Sequence, residues 1–265
     1  MAPGVLLPCM PRSSLPFAIS VHRPRADWLT ALIVVLLMVH VAVEIAGGPE
    51  RVEETGLYGL FGLSRPVLLA GNGWQLVTYS FLHGSWLHLI MNATVIYAIG
   101  GRVATILGNC RSASIYAGGV VGGGLLHFMI FPSNPLGVGM TPPYIPLVGA
   151  SGGMMALLTA FALLSPDSRM CPLMVSARNL GRGIMLGSFI LFLLTPGMDI
   201  PVLGAVGNWV VTEQAFGGVL FLISHPCHLG GGVVGLFSVR RLMREPVSLE
   251  ELRRDRERRE EQNHE

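Results

Sequence analysis

Charged residues are scarce in this chain, and lysine is absent altogether. Only 13% of the 265 residues are charged, all 18 basic residues are arginine, and the net charge is +2. So small a positive charge gives no reason to expect nucleic-acid binding, which needs a strongly basic surface. Cysteine is also rare. Cys9, Cys110, Cys171 and Cys227 are scattered without Cys-x-x-Cys spacing, so a disulfide framework or a zinc knuckle is not expected. We predict neither a metal nor a cofactor.

Apolar residues are abundant instead, at 51% of the chain. This excess is typical of a polytopic membrane protein, and the length leaves room for about six spans of ~20 residues each. We therefore predict an all-α bundle of six transmembrane helices. The predicted spans are roughly 28–46, 86–100, 113–131, 147–164, 183–194 and 227–239. They form one membrane domain, 28–244, between a cytoplasmic N-terminal tail, 1–27, and a charged cytoplasmic C-terminal tail, 245–265.

The arginines indicate how the domain is oriented. In the six-span arrangement nearly all of them between the two tails fall on one side, and the other side has only Arg51 and Arg65. The positive-inside rule then places both termini in the cytoplasm. Spans two, four and six run from outside to inside, so residues near their starts lie at similar depth. The compact domain suggests a bacterial inner membrane.

Polar residues stand near the starts of these three spans. They are His88 and Asn92 in the second, Ser151 in the fourth and His228 in the sixth. Such side chains are costly at membrane depth and are functional by default. His88 and Asn92 are four apart and share a helix face. We interpret His83, five residues before His88, as part of the preceding loop, which it holds by hydrogen bonds.

Glycines explain how two of these spans could meet. Gly231 and Gly235 form a small-xxx-small face one and two turns below His228, and this face lets another helix approach closely. If that helix is the fourth span with its Gly152, then His228 reaches Ser151.

A serine beside a histidine base is a nucleophilic arrangement. Asn92 and His88 could then donate hydrogen bonds to a developing oxyanion. The Gly-x-Ser-x-Gly pattern also matches the nucleophile elbow of soluble hydrolases, but that elbow follows a strand, and a Pro-rich loop precedes Ser151 here. We interpret His40 and His127 as structural and His225 as a loop residue.

Three motifs together closely resemble the rhomboid family of intramembrane serine proteases, over about residues 74–237. They are Trp74 with His83-x4-His88-x3-Asn92, then Gly149-x-Ser151-Gly152, then His228-x2-Gly231-x3-Gly235. The resemblance implies a Ser–His dyad without a third acid, a six-helix core, a first loop lying sideways in the bilayer and a mobile loop before the last span. Gln75 stands where the family often has arginine, and Met155 where an aromatic residue is common.

The leading hypothesis is an intramembrane serine endopeptidase that cuts single-pass membrane proteins near the outer face of the lipid bilayer. The first alternative is a catalytically inactive rhomboid-like protein that binds or chaperones membrane proteins. The second is a metal site or transporter using His83, His88, His225 and His228, although the expected pair of ligands four residues apart is missing.

Overall fold

The computed structural model describes residues 27–49, 56–130, 146–170, 174–195, 200–213 and 223–243, with 253, 254 and 256. The predicted N-terminal tail lies outside these ranges except for Asp27, as does most of the C-terminal tail. Residues 131–145 and 214–222 also lie outside them, and with them part of the predicted mobile loop before the last span.

The described chain is mostly helical. The helices are α1 (Trp28–Ile45), α2 (Leu57–Phe61), α3 (Arg65–Leu69), α4 (Gln75–Thr78), a 3₁₀ turn (Tyr79–Phe81), α5 (Trp86–Leu107), α6 (Asn109–Ile130), α7 (Ser151–Leu164), α8 (Ala177–Leu193), α9 (Leu203–Glu213) and α10 (His225–Leu242). Strands β1 (Arg169–Met170) and β2 (Val175–Ser176) form a small antiparallel hairpin between α7 and α8.

Three of the described helices, α1, α5 and α6, are long and apolar enough to cross a membrane, and α7 is a shorter apolar helix of 14 residues. The protein is an integral membrane protein with a helical membrane domain. Capping residues define several helix starts. Asp27, Ser85, Ser176 and Ser224 each accept a hydrogen bond from a backbone N–H in the first turn of the following helix, as N-cap residues do.

Several predicted boundaries were wrong. The second span continues to Leu107 rather than ending at residue 100. The fourth begins at Ser151 rather than at 147, because Leu147 forms a backbone bridge with Leu63. The helices at the predicted fifth and sixth spans begin earlier than predicted, at Ala177 and His225. The stretches 48–74 and 196–226, which lie between predicted spans, contain α2, α3 and α9.

Helix α7 lies at the centre of the bundle. It packs against α5, α6, α8 and α10, and ten of its side chains or glycines are buried. Glycine makes this packing close. A Cβ on Gly119 of α6 would overlap Ala156 and would come within 2.8 Å of the Gly152 carbonyl oxygen, and one on Gly123 would lie 3.3 Å from the Gly152 Cα. Small residues permit such contact between helices.

Side-chain contacts show which helix ends lie together. At one end Trp28, the first residue of α1, donates to the Ser112 hydroxyl near the start of α6, at 3.1 Å. At the other end His40 of α1 meets Trp86, the first residue of α5, with ring centroids 4.6 Å apart. The start of α5 therefore lies at this end. The starts of α7 and α10 lie there too, because Gly149 is against His88 of α5 and Gly231 of α10 is against Gly152 of α7.

Candidate active site

Ser151 is the first residue of α7 and is 8% exposed. The backbone turns into the helix at Gly149, whose φ of +119° lies in a region that favours glycine. Gly149 also donates its N–H to the Tyr79 carbonyl at 3.0 Å. A Cβ at Gly149 would lie 2.8 Å from His88 Nε2. Gly149 is thus required both by its backbone conformation and by the histidine ring against it.

The start of α7 offers backbone donors beside the serine. The first helical hydrogen bond runs from Met154 N to the Ala150 carbonyl at 3.1 Å. The N–H groups of Ser151, Gly152 and Gly153 come before it and have no carbonyl acceptor within the described residues, although that of Gly152 forms a hydrogen bond with the Cys227 thiol. Such N–H groups at a helix start stabilise negative charge. Our sequence reasoning missed them, although a helix starting at the serine would have indicated them.

Asn92 and His83 form a hydrogen-bonded pair that contacts the residue before the serine. Asn92 Nδ2 donates to His83 Nε2 at 3.1 Å, and the Ala150 N–H donates to the same nitrogen at 3.4 Å. A backbone N–H only donates, so Nε2 is the unprotonated nitrogen of a neutral imidazole. The Asn92 amide keeps a second N–H. His83 also holds its loop through Tyr58, which donates to the His83 carbonyl at 2.9 Å.

His88 lies between the Asn92 pair and the last helix. Its ring centroid is 5.0 Å from that of His83, and it contacts Gly149 from the α5 side. His88 and His228 are near enough to interact electrostatically. The structure thus gathers His83, His88 and Asn92 on one side of Ser151 and His228 on the other.

Two glycines bring α10 against α7. A Cβ on Gly231 would overlap the Gly152 carbonyl oxygen, and one on Gly235 would overlap the Ala156 carbonyl oxygen and the Thr159 hydroxyl. Thr159 donates to the Gly232 carbonyl at 2.9 Å and links the same two helices. The close approach expected of the small-xxx-small face is present.

The Ser151 hydroxyl lies beside Cys227, the neighbour of His228. The Cys227 thiol is close to the serine side chain and 3.6 Å from the Tyr79 hydroxyl. Tyr79 itself donates to the Val120 carbonyl at 2.7 Å. In the part of the chain that the structure describes, Ser151 makes no hydrogen bond to His228. Catalytic hydrogen bonds are often long or absent without substrate.

Comparison with known proteins agrees with this arrangement. Residues 70–245 match the rhomboid domain, which covers every residue of the site described above except Tyr58. This chain belongs to the rhomboid family.

One rhomboid relative is the protein of Danio rerio named presenilin-associated rhomboid-like protein A, mitochondrial. The chain is 23% identical to it over 165 residues, which are 62% of this chain and 36% of the relative. The chain therefore matches little more than a third of the relative's length.

Within the rhomboid domain, the structure corrects the prediction for His225, whereas His127, which we interpreted as structural, makes a structural contact. His225 is not a loop residue. It opens α10 and is 4% exposed, because Pro226 is tolerated in the first turn of a helix. His127, at the end of α6, forms a hydrogen bond to the Ser224 hydroxyl with 2.7 Å between Nδ1 and Oγ. Ser224 accepts from Cys227 N through this oxygen and from His228 N through its carbonyl, both at 3.2 Å. His127 thus supports the start of the helix that carries His228.

His40, which we interpreted as structural, has polar neighbours. It is 1% exposed, and its Nε2 lies 3.6 Å from the Glu44 carboxylate. It interacts electrostatically with both His83 and His88. The nearness of His40 to His83 and His88 was not evident from the sequence, because His40 is more than forty residues away, on α1, whereas Glu44 is only four residues from it.

Glu44 lies beside His40, whereas the acidic side chains between Ser151 and His228 in the sequence lie away from this site or outside the described residues. Asp167 lies beyond the other end of α7, where Arg178 donates to it at 3.3 Å. Asp199 and the Glu213 side chain are outside the described residues. Within the described part of the chain, no group of three or more histidine, cysteine or acidic residues could hold a metal ion.

Proposed function

We propose that this rhomboid-family protein is an intramembrane serine endopeptidase, with Ser151 as nucleophile and His228 as general base. The observation that carries the proposal is the contact of Gly231 with Gly152. It holds the start of α10, and with it His228, beside the start of α7. Asn92, His88 and the first backbone N–H groups of α7 surround the same point.

The proposed chemistry follows from these groups. Ser151 Oγ attacks the carbonyl carbon of the scissile bond while its proton passes to His228. The carbonyl oxygen becomes an oxyanion that accepts hydrogen bonds from the Asn92 amide, His88 and the backbone N–H of Ser151. His228 then gives its proton to the leaving amine. Water, activated by His228, hydrolyses the ester on Ser151 and regenerates the hydroxyl. No cofactor takes part.

One movement is needed before the attack. The Ser151 hydroxyl must leave Cys227 and turn to His228, which is a rotation about one side-chain bond. Exchange between staggered rotamers is a small conformational step. In this proposal substrate binding causes the rotation of the Ser151 hydroxyl, because a carbonyl in the oxyanion site aligns the hydroxyl for attack.

The proposed substrates are single-pass membrane proteins, cut near the face where α5, α7 and α10 start. We propose six spans, formed by α1, α5, α6, α7, α8 and α10, with both termini on the arginine-rich, cytoplasmic side. The bacterial inner membrane stays a prediction, and the Danio rerio relative carries the word mitochondrial in its name.

A catalytically inactive membrane binding or chaperone protein is the second candidate. The observation that favours it is the Ser151 hydroxyl beside Cys227 rather than bonded to His228. In this case the site would be folded but catalytically inactive, and the serine would not react with electrophiles.

Covalent labelling separates the two. Purified protein in detergent is treated with a fluorescent fluorophosphonate, alongside Ser151→Ala and His228→Ala. Ser188→Ala is the matched control, because Ser188 is also a buried helical serine, on α8. The protease proposal expects labelling of the parent and of the control, and none of the two site variants. If the parent is folded but is not labelled and cleaves no transmembrane substrate in liposomes, the protease proposal is wrong and the inactive membrane-binding or chaperone protein is supported.

A further inference from the structure

A second site lies at the opposite end of the bundle from Ser151. It is an open cavity of about 380 Å³ between the last turns of α5, the end of α7 and the β1 strand. Its lining combines two arginines, two hydroxyl side chains and two apolar side chains. They are Arg102, Thr105, Ile106, Phe161, Ser168 and Arg169.

The two arginines are the charged groups that line this cavity. Arg102 lies over the Phe161 ring at 5.5 Å and donates to the Met170 sulfur at 3.2 Å. Arg169 donates to a backbone carbonyl, that of Met174, at 3.0 Å. Neither has an ion-pair partner among the described residues, and the nearby Asp167 pairs with Arg178. Since a guanidinium has five N–H donors, both arginines keep donors for a ligand.

The depth of the cavity suits a lipid headgroup. Arg102 is five residues before the end of α5, which is a helix able to cross a membrane. At 1.5 Å per residue, its Cα lies about 7–8 Å inside the turn that joins α5 to α6. An arginine at this depth extends its side chain towards the headgroup layer. There the group of opposite charge available at high concentration is the phosphate of phospholipids.

We propose that this cavity binds the phosphate of an anionic phospholipid, held between Arg102 and Arg169. Arginine is well suited to phosphate because its planar fork donates two parallel hydrogen bonds. Ile106 is 48% exposed and gives an acyl chain an apolar surface beside the charged pair. Two unpaired guanidinium groups disfavour the choline group of a zwitterionic lipid. A free phosphate shares the charge but has no acyl chain for Ile106. The proposal does not depend on the proteolytic activity.

The test measures lipid binding to the full-length protein in a neutral detergent. Short-chain phosphatidylglycerol, short-chain phosphatidylcholine and inorganic phosphate are added separately, and binding is followed by the rise in melting temperature and by native mass spectrometry. We expect phosphatidylglycerol to bind and the other two to have no effect at the same concentration. Arg169→Gln and Arg102→Gln should each weaken phosphatidylglycerol binding about tenfold, as loss of a charge-assisted bidentate contact does.

Arg182→Gln is the matched control, because Arg182 is an exposed arginine on α8 that does not line the cavity. It should bind phosphatidylglycerol as the parent does. Equal weakening in Arg182→Gln would show only general attraction to positive charge and would overturn the site. Binding of inorganic phosphate as strong as that of phosphatidylglycerol would overturn the lipid as its occupant. If Arg102→Gln fails to fold, since it loses its contacts with Phe161 and Met170, Arg169→Gln decides, because Arg169 is exposed.

Discussion

Gly231 of α10 lies directly against the carbonyl of Gly152, the residue after Ser151. The contact joins backbone to backbone, so no side chain can move aside to admit a larger residue. The distance between the proposed nucleophile and the proposed base is therefore set by two glycines that do no chemistry.

Gly231→Ala is expected to abolish or strongly reduce cleavage while the protein remains folded. Its Cβ would overlap the Gly152 carbonyl and push α10 away from α7. A displacement of about 1 Å in a catalytic group costs on the order of 10² in rate. The measurement is cleavage of a transmembrane substrate in liposomes, with the melting temperature as a check on folding. Gly187→Ala on α8, where a Cβ meets nothing within 4 Å, is the control. A Gly231→Ala enzyme with parental rate would refute the packing explanation.

Ser151→Ala and His228→Ala are each expected to lower the cleavage rate by about 10⁴–10⁶. The two residues act as one unit, so the double variant should be little slower than either single variant. Rates are measured with the same liposome assay over long incubations. Independent, multiplicative losses would show that the two residues do not share a step, and substantial turnover in both single variants would remove the dyad.

Asn92→Ala is expected to reduce the rate by about 10²–10³, which is typical for loss of one oxyanion donor. Since the donor acts on the transition state, kcat should fall with little change in KM. His88→Ala should behave in the same way. Asn92 also bonds to His83, so the melting temperature of each variant is compared with that of the parent. A folded Asn92→Ala protein with normal kcat would mean that Asn92 only holds the His83 loop.

His127→Ala is expected to slow cleavage through Ser224, the cap of α10. Loss of a helix cap costs about 1 kcal/mol, so we expect a modest fall in rate, of about fivefold. Because the two residues share one hydrogen bond, the effects of His127→Ala and Ser224→Ala should not multiply. His127→Asn places a polar atom near the position of Nδ1 and should restore part of the rate. No recovery in His127→Asn, together with fully multiplicative effects, would contradict this positioning role.

Much of the membrane fold could be predicted from apolar runs and glycine spacing. The α1 span follows from a single apolar run in the sequence. The close approach of the last helix to Gly152 follows from two glycines, Gly231 and Gly235, that are four residues apart. His225 was misjudged because a following proline is compatible with a loop and with a helix start alike. Distance along the chain hid the contacts of His40 with Trp86 and of His127 with Ser224, since single-sequence patterns carry no information on pairing across 46 or 97 residues.

The position of the Ser151 hydroxyl also lay beyond the sequence. Whether the hydroxyl faces Cys227 or His228 depends on one side-chain rotamer in a packed environment. Because Cys227 and His228 are consecutive in the chain, the sequence does not distinguish between them. The unprotonated state of His83 Nε2 likewise depends on a contact that the sequence does not show, the hydrogen bond from the Ala150 N–H.

The shortness of α7 has a consequence for the direction of the proposed reaction. Phe161 is level with Arg102 near one membrane boundary, and Ser151 lies ten residues, or about 15 Å, along the helix from it. The proposed cut thus falls inside a hydrocarbon layer of about 30 Å, on the side of the face where α5, α7 and α10 start. Hydrolysis there replaces one neutral amide with a new carboxylate and a new ammonium group, which are costly in lipid. The two charged ends therefore move out of the lipid towards water and separate from each other. Their separation opposes re-formation of the peptide bond, so cleavage proceeds in one direction without a coupled source of energy.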